Sequence, residues 1–305
     1  MLLILLSLSG KVNKVMLEIC NIKKLYKTKK AIEEISFKVN DGEVVALIGK
    51  NGAGKTTILN SIAGYIYPTV GEIKFNGKNI LIENEIKKRF GILIDANFFD
   101  YLNVNDNLML LLKSSGVYDK EYSQKMIDSI LEQVGLIEQK YKKVKSFSFG
   151  MKQRLGLAQA LIMDIDFLML DEPFVGLDPV GKELFKSIIK TKAKKDKIGV
   201  LFSSHDLADI EDICDRVVMI REGKIIYNNV FNKQKKYCLS LKSDVKLSSE
   251  LEQLVSSGKL TIDNLTAIWE DKELIDILLK NNEIQEAGFD DLTVYENSLI
   301  ELFNE

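Results

Sequence analysis

The segment VVALIGKNGAGKTTILNSIAG, residues 44–64, leaves this chain few folds to choose from. Val44 to Ile48 make a short apolar run of the kind that forms a strand buried on both faces, and from Ile58 onward the apolar spacing is helical. Between them lies the pattern G-x-x-x-x-G-K-[ST], filled by Gly49, Gly54, Lys55 and Thr56. Backbone N–H groups can turn inward around phosphate oxygens only where side chains do not intrude. Gly49, Gly52 and Gly54 meet that need, and Lys50, Asn51 and Ala53 complete the loop. The following helix aims its positive end at the same anion, with Thr57 in its first turn. Lys55 reaches the β- and γ-phosphates, and the Thr56 hydroxyl binds Mg2+. Strand, loop and helix in this order predict an α/β fold and a site for a nucleoside triphosphate.

A second stretch, DIDFLMLDEPFVGLDP, supplies another apolar strand, Ile165 to Leu170, ending in Asp171 and Glu172. In an open parallel sheet the carboxyl ends of the strands line the ligand crevice, so this acidic pair stands beside the phosphate loop. Asp171 then holds Mg2+ through water and Glu172 polarises the attacking water. Two adjacent carboxylates also suit a solvated strand end.

Composition narrows the class further. The 305 residues are 46% hydrophobic and carry a formal charge of -2, so there is a sizeable core and no overall field drawing the chain to nucleic acid or anionic lipid. The basic stretches KYKKVK and KTKAKKDK have no interleaved aromatics and read as solvated faces, so no nucleic-acid partner is expected. Cys20, Cys214 and Cys238 are far apart with no CxxC pair, which favours a reducing cytosol. Leu2 to Leu6 are too few to span a bilayer, and no later segment has 18 uninterrupted apolar residues. Residues 1–15 read as a non-native or disordered extension, with Met16 as the natural start.

With these motifs in place the chain resembles an ABC transporter ATP-binding subunit over about Leu17 to Tyr227. The specific mark is SFSFGMKQRLGLAQALI, where the usual LSGGQ stands as Phe147-Ser148-Phe149-Gly150-Met151. The resemblance implies a RecA-like core, an antiparallel β subdomain and a helical subdomain. It implies that Ser148 and Gly150 contact the γ-phosphate of an ATP held by the other subunit of a head-to-tail dimer, although Ser148 also suits a plain helix cap. Tyr26 in KKLYK matches the aromatic residue that stacks on adenine, and a Tyr at a strand end is otherwise ordinary. Asp178 in GLDP matches the loop that crosses the dimer interface. His205, the only histidine, follows the apolar strand IGVLFSS and matches the switch histidine that reaches the γ-phosphate.

One position departs from the family. Where most members carry glutamine, FGILIDANFFDYLNVNDNL offers Asp95. A carboxylate there can still join the Mg2+ shell. An acidic residue together with SFGMKQRLGLA resembles the subgroup that exports bacitracin, lantibiotics and related peptides, in which the residue is usually Glu. Phe98, Phe99 and Tyr101 lie where the family receives its permease, or are local packing.

VVMIREGKIIY is a hairpin that closes the ATPase domain, residues 16–227. Residues 228–305 read as an accessory α+β module. YCLSLKS is a strand, SSELEQLVSSG a helix, KLTIDNLTAIWED two strands, KELIDILLKNN a helix and EIQEAGF a strand, the βαββαβ order of a ferredoxin-like unit. SLIELF is then a last helix and Trp269 a core residue. The expected function is ATP hydrolysis with Mg2+ that drives a separate integral membrane permease. The subunit is expected on the inner face of the membrane, as a homodimer or paired with a second ATPase subunit, and to export a peptide antibiotic. The rivals are a soluble ATPase acting on ribosomes or DNA, and a lipid, sugar or other drug exporter.

Overall fold

The structure, a computed structural model, describes residues 15–27, 29–207, 209–231 and 235–296. The expected extension lies outside them apart from Val15, which opens the first strand; SLIELF also lies outside. The chain divides into two compact units, Met1–Phe231 and Asn232–Glu305.

The first unit opens with β1 (Val15–Tyr26), β2 (Lys29–Asn40), β3 (Val44–Ile48), α1 (Lys55–Ala63), β4 (Val70–Phe75), β5 (Lys78–Asn79) and β6 (Phe90–Leu93). Then come α2 (Val104–Ser114), α3 (Lys120–Gln133), α4 (Phe149–Leu161), β7 (Phe167–Leu170), α5 (Pro179–Lys194), β8 (Gly199–Ser204), β9 (Arg216–Arg221) and β10 (Lys224–Val230). Six of the strands form one sheet in the order β10-β9-β3-β8-β7-β6, parallel except for β10. Every residue of β3, β7 and β8 is buried, which is why their sequences are apolar runs rather than alternations. Pairing in register (Ile48 with Ser204, Leu170 with Phe202, Leu93 with Leu170) brings the carboxyl ends of β3, β8, β7 and β6 to one edge.

A second, antiparallel sheet has the order β2-β1-β4-β5. Phe75 of β4 meets Phe90 of β6 edge-on at 4.8 Å, and Phe90 lies 5.4 Å from Phe167 of β7, so one aromatic cluster joins the two sheets. Helices α2, α3 and α4 pack on one another, and α4 also packs on β6. Side-chain caps set where they begin: Asn103 accepts from Asp106 N–H, Asp119 from Tyr122 N–H and Ser148 from Met151 N–H.

The hairpin read at VVMIREGKIIY is β9–β10, turned by Glu222 (φ 50°) and Gly223 (φ 76°). Its second strand runs past Tyr227 to Val230, which pairs with Arg216. Phe231 N–H then bonds to Asp215 O at 3.0 Å, and the unit closes there.

The second unit contains β11 (Lys235–Leu241), α6 (Ser249–Ser256), β12 (Leu260–Asp263), β13 (Thr266–Trp269), α7 (Leu274–Lys280), α8 (Asn282–Ala287) and β14 (Phe289–Glu296). Its sheet is antiparallel throughout, in the order β12-β13-β11-β14. Trp269 is buried and stacks on Tyr237 at 5.9 Å, a core position. EIQEAGF is not a strand: the Asn281 side chain accepts from Ile284 N–H and caps α8, and Gly288 at φ 68° ends it. The last strand is FDDLTVYE, paired with β11.

Candidate active site

Between β3 and α1 the backbone reverses around Gly52 at φ 83° and Gly54 at φ 114°, conformations that side chains disfavour. A Cβ on Gly49 would sit 2.4 Å from Ile220 O, so the loop is pressed against β9. The β9–β10 turn holds it as well, since Gly223 N–H donates to Ala53 O at 3.0 Å. Gly54 is the first residue of α1's cap and no side chain caps that helix, so its leading N–H groups remain available to an anion. Lys55 is almost fully buried; its Nζ donates to Gly49 O at 2.7 Å and lies 3.4 Å from Glu172 Oε1.

The carboxylates after β7 meet this loop. Thr56 Oγ1 donates to Asp171 Oδ2 at 2.9 Å. Glu172 has a left-handed backbone (φ 45°), uncommon for a side chain of this kind, and its Oε2 lies 2.8 Å from His205 Nδ1. Lys55, Thr56, Asp171, Glu172 and His205, from three different strand ends, thus form one connected set.

Sequence reasoning missed Ser203. This residue of β8 is fully buried; its Oγ donates to Asp171 Oδ1 and accepts from Glu172 N–H at 2.9 Å. One hydroxyl therefore holds the carboxylate of Asp171 and the strained backbone of Glu172 together. The available signal was a pair of serines closing an otherwise apolar strand, VLFSS.

Two clefts open on this set. One is lined by Tyr26, Ala31, Asn51, Gly52, Gly54, Lys55, Thr56, Thr57 and Glu172. The other, between the loop after β6 and the start of α4, includes Asp95, Phe149, Lys152, Asp171 and Glu172. Asp95 is thus on the same cleft as the acidic pair, and exposed. Lys50 is exposed on the phosphate loop. The donors fit Mg2+: Thr56 Oγ1 and Asp171 Oδ2 are hard oxygens in contact. Among the described residues there is no cluster of three or more His, Cys, Asp and Glu that would form an all-protein cage. Mg2+ bound together with substrate phosphates needs only one or two protein carboxylates.

Ser148, Gly150 and Asp178 line a different cleft, with Gly135, Met151, Arg154 and Gly176. Asp178 Oδ1 accepts from Gly181 N–H at 2.9 Å, capping α5, and from Arg154 Nη2 at 3.1 Å. A Cβ on Gly150 would lie 2.8 Å from Gly176 O, and one on Gly176 would collide with the Phe149 ring. The start of α4 and the loop before α5 therefore pack as one piece. They do so apart from the phosphate loop.

Residues 32–175 match the family model described as ABC transporter. The bacitracin transport ATP-binding protein BcrA of Bacillus licheniformis is 38% identical over 218 residues, 71% of this chain and 70% of that protein. The lantibiotic transport ATP-binding protein SrtF of Streptococcus pyogenes is 36% identical over 217 residues, 71% of this chain and 92% of its own length. Among solved structures, an ATP-binding subunit of an ABC transporter superposes with a TM-score of 0.64 at 29% identity, covering 71% of this chain and 90% of that one.

Proposed function

Because the chain belongs to the ABC transporter ATP-binding family and is an ATPase of that class, we propose that it powers export of a peptide antibiotic or bacteriocin-like compound through a separate membrane permease. The observation that carries the reading is the division of the site. Lys55, Thr56, Asp171, Glu172 and His205 form one connected set, of which Lys55, Thr56 and Glu172 line the phosphate-loop cleft, while Ser148, Gly150 and Asp178 line another. Two copies closing head to tail, or one copy and a related subunit, would set the second cleft against the nucleotide held in the first.

In this reading Tyr26 stacks on adenine, and residues 49–57 wrap the phosphates. Thr56 and Asp171, joined by Asp95, would hold Mg2+, which neutralises charge on the phosphate oxygens when bound. Glu172 accepts the proton of the attacking water as its oxygen bonds to the γ-phosphorus and the bond to the β–γ bridging oxygen breaks. His205 holds that water and the γ-phosphate in line. Ser148 and Gly150 complete the shell from the opposite subunit, and Asp178 lies at the seam.

Among the described residues no helix is long and apolar enough to cross a membrane; in this reading the permease is a separate chain. The subunit would work on the cytoplasmic face of the membrane. Residues 16–227 would then be the motor, and residues 228–305 an accessory module; the β12-β13-β11-β14 order is what a ferredoxin-like reading requires.

The test is to express the chain with the permease genes of its own locus in a sensitive host. The inhibitory concentration of bacitracin or a lantibiotic should rise, the chain should co-purify with membranes, and Glu172→Gln should abolish the protection. Recovery with ribosomes or DNA instead would favour a soluble ATPase. Protection against lipophilic drugs alone would move the cargo to another class.

A further inference from the structure

Tyr26 lines the nucleotide cleft and has a cation over its ring. Lys24 Nζ lies 5.1 Å from the Tyr26 ring centroid. The same Nζ donates to Tyr67 O at 2.7 Å, which fixes the ammonium in place. Tyr67 belongs to the loop leaving α1, and that loop is tied at both ends. Tyr65 and Ile66 N–H bond to Asn60 O in α1, Thr69 N–H bonds to Lys23 O at 2.7 Å, and Thr69 Oγ1 accepts from Leu25 N–H at 3.2 Å. Lys24 is half-buried, whereas Tyr26 is 42% exposed, and Lys24 is not among the residues that line the cleft with Tyr26.

We propose that Lys24 is a positioning residue for the nucleobase: its ammonium backs the Tyr26 ring from outside the cleft and holds the opposite face ready to stack on the base. This rests on the reading that the base of ATP stacks on Tyr26. Two physical effects combine. The cation–ring attraction limits the rotamers of an otherwise exposed side chain, so less entropy is lost when the base arrives. The cation also draws ring electron density toward itself, leaving the far face a better partner for an electron-rich purine. Because Lys24 is fastened to the loop after α1, the stacking ring is referenced to the helix that begins with Lys55. Base and phosphates are thereby gripped at a set spacing.

The experiment compares binding of ATP with binding of tripolyphosphate, which lacks the base, to wild type, Lys24→Met, Lys24→Arg, Tyr26→Ala and the Lys24→Met/Tyr26→Ala pair. Lys24→Met keeps the apolar stem and removes the charge. Its ATP affinity should fall about two- to five-fold, the size of an exposed cation–ring contact, with tripolyphosphate unchanged. Lys24→Arg should bind ATP as wild type does. In the Tyr26→Ala background Lys24→Met should cost nothing further. In turnover assays the loss should fall on KM rather than kcat. Equal weakening of ATP and tripolyphosphate would make Lys24 a long-range attractor of phosphate and overturn the proposal. So would additive losses in the pair, or a neutral Lys24→Met beside a weakened Tyr26→Ala. If Tyr26→Ala itself binds ATP normally, it is the stacking reading that fails, and the proposal falls with it. Melting temperatures of all four variants separate misfolding from these outcomes.

Discussion

The imidazole of His205 and the carboxylate of Glu172 are in direct contact, Nδ1 to Oε2 at 2.8 Å, although they are 33 positions apart in the chain. The other carboxylate oxygen faces Lys55 Nζ at 3.4 Å, so Glu172 stands between the phosphate-loop cation and the only histidine. The His205 side chain is half-exposed, whereas Glu172 is largely covered.

A donor of this kind gains value as charge develops on the transferring group, so its loss falls on turnover more than on binding. His205→Ala should bind ATP within a few-fold of wild type and hydrolyse it about a hundred-fold more slowly. The lone histidine also gives NMR ring signals that need no assignment. They should move with a γ-phosphate analogue and Mg2+ and move much less with ADP.

Glu172→Gln keeps the shape and the contact with His205 but cannot take a proton from water. Turnover should nearly vanish while ATP binding persists. With ATP and Mg2+ the variant should elute from a sizing column as a closed dimer. Full activity would place the catalytic carboxylate elsewhere.

Ser203→Ala removes the bond to Asp171 and leaves the Glu172 N–H without its acceptor. Loosening a catalytic carboxylate by about 1 Å costs on the order of a hundredfold in rate. We expect a fall in kcat of about ten- to a hundredfold, together with a higher Mg2+ requirement because Asp171 loses its orientation. Ser203→Thr, which keeps the hydroxyl and suits a strand, should recover most of it. A uniform drop in melting temperature with unchanged kcat would make Ser203 a packing residue only.

Asp95 shares a cleft with Asp171 and Glu172. If it contributes to the Mg2+ shell, Asp95→Asn should raise the Mg2+ concentration for half-maximal hydrolysis. Asp95→Gln should be tolerated better than Asp95→Ala when the permease is present. Equal activity of all three would make it a bystander.

Burial pushes the Cys214 thiol up to about 12, with Asp215 adding to the shift. The thiol form therefore persists well above neutral pH, and the thiolate is the reactive species. In the native protein a maleimide should spare Cys214 from pH 7 to 9 and label it only after unfolding, as read by peptide mass spectrometry.

Much of this protein is written locally. Residues 44–63 announce a buried strand, a glycine loop and a helix because each signal lies within a few positions. FLML followed by Asp171 and Glu172, and the cap Ser148, are legible for the same reason: capping, burial and turn chemistry act between near neighbours. Distant neighbours are decided by the tertiary structure. Nothing in VLFSSH says that Ser203 will bridge Asp171 and Glu172; that follows from β8 lying between β3 and β7 in register, Leu170 beside Phe202. The end of the chain makes the same point in reverse. EIQEAG has the apolar content of a short strand, yet it folds as α8 under the Asn281 cap. DDLTVYE, with two leading acids, becomes a strand because β11 offers it an edge to pair with. Local sequence sets which conformations are cheap, and long-range pairing, which one sequence window cannot contain, selects among them.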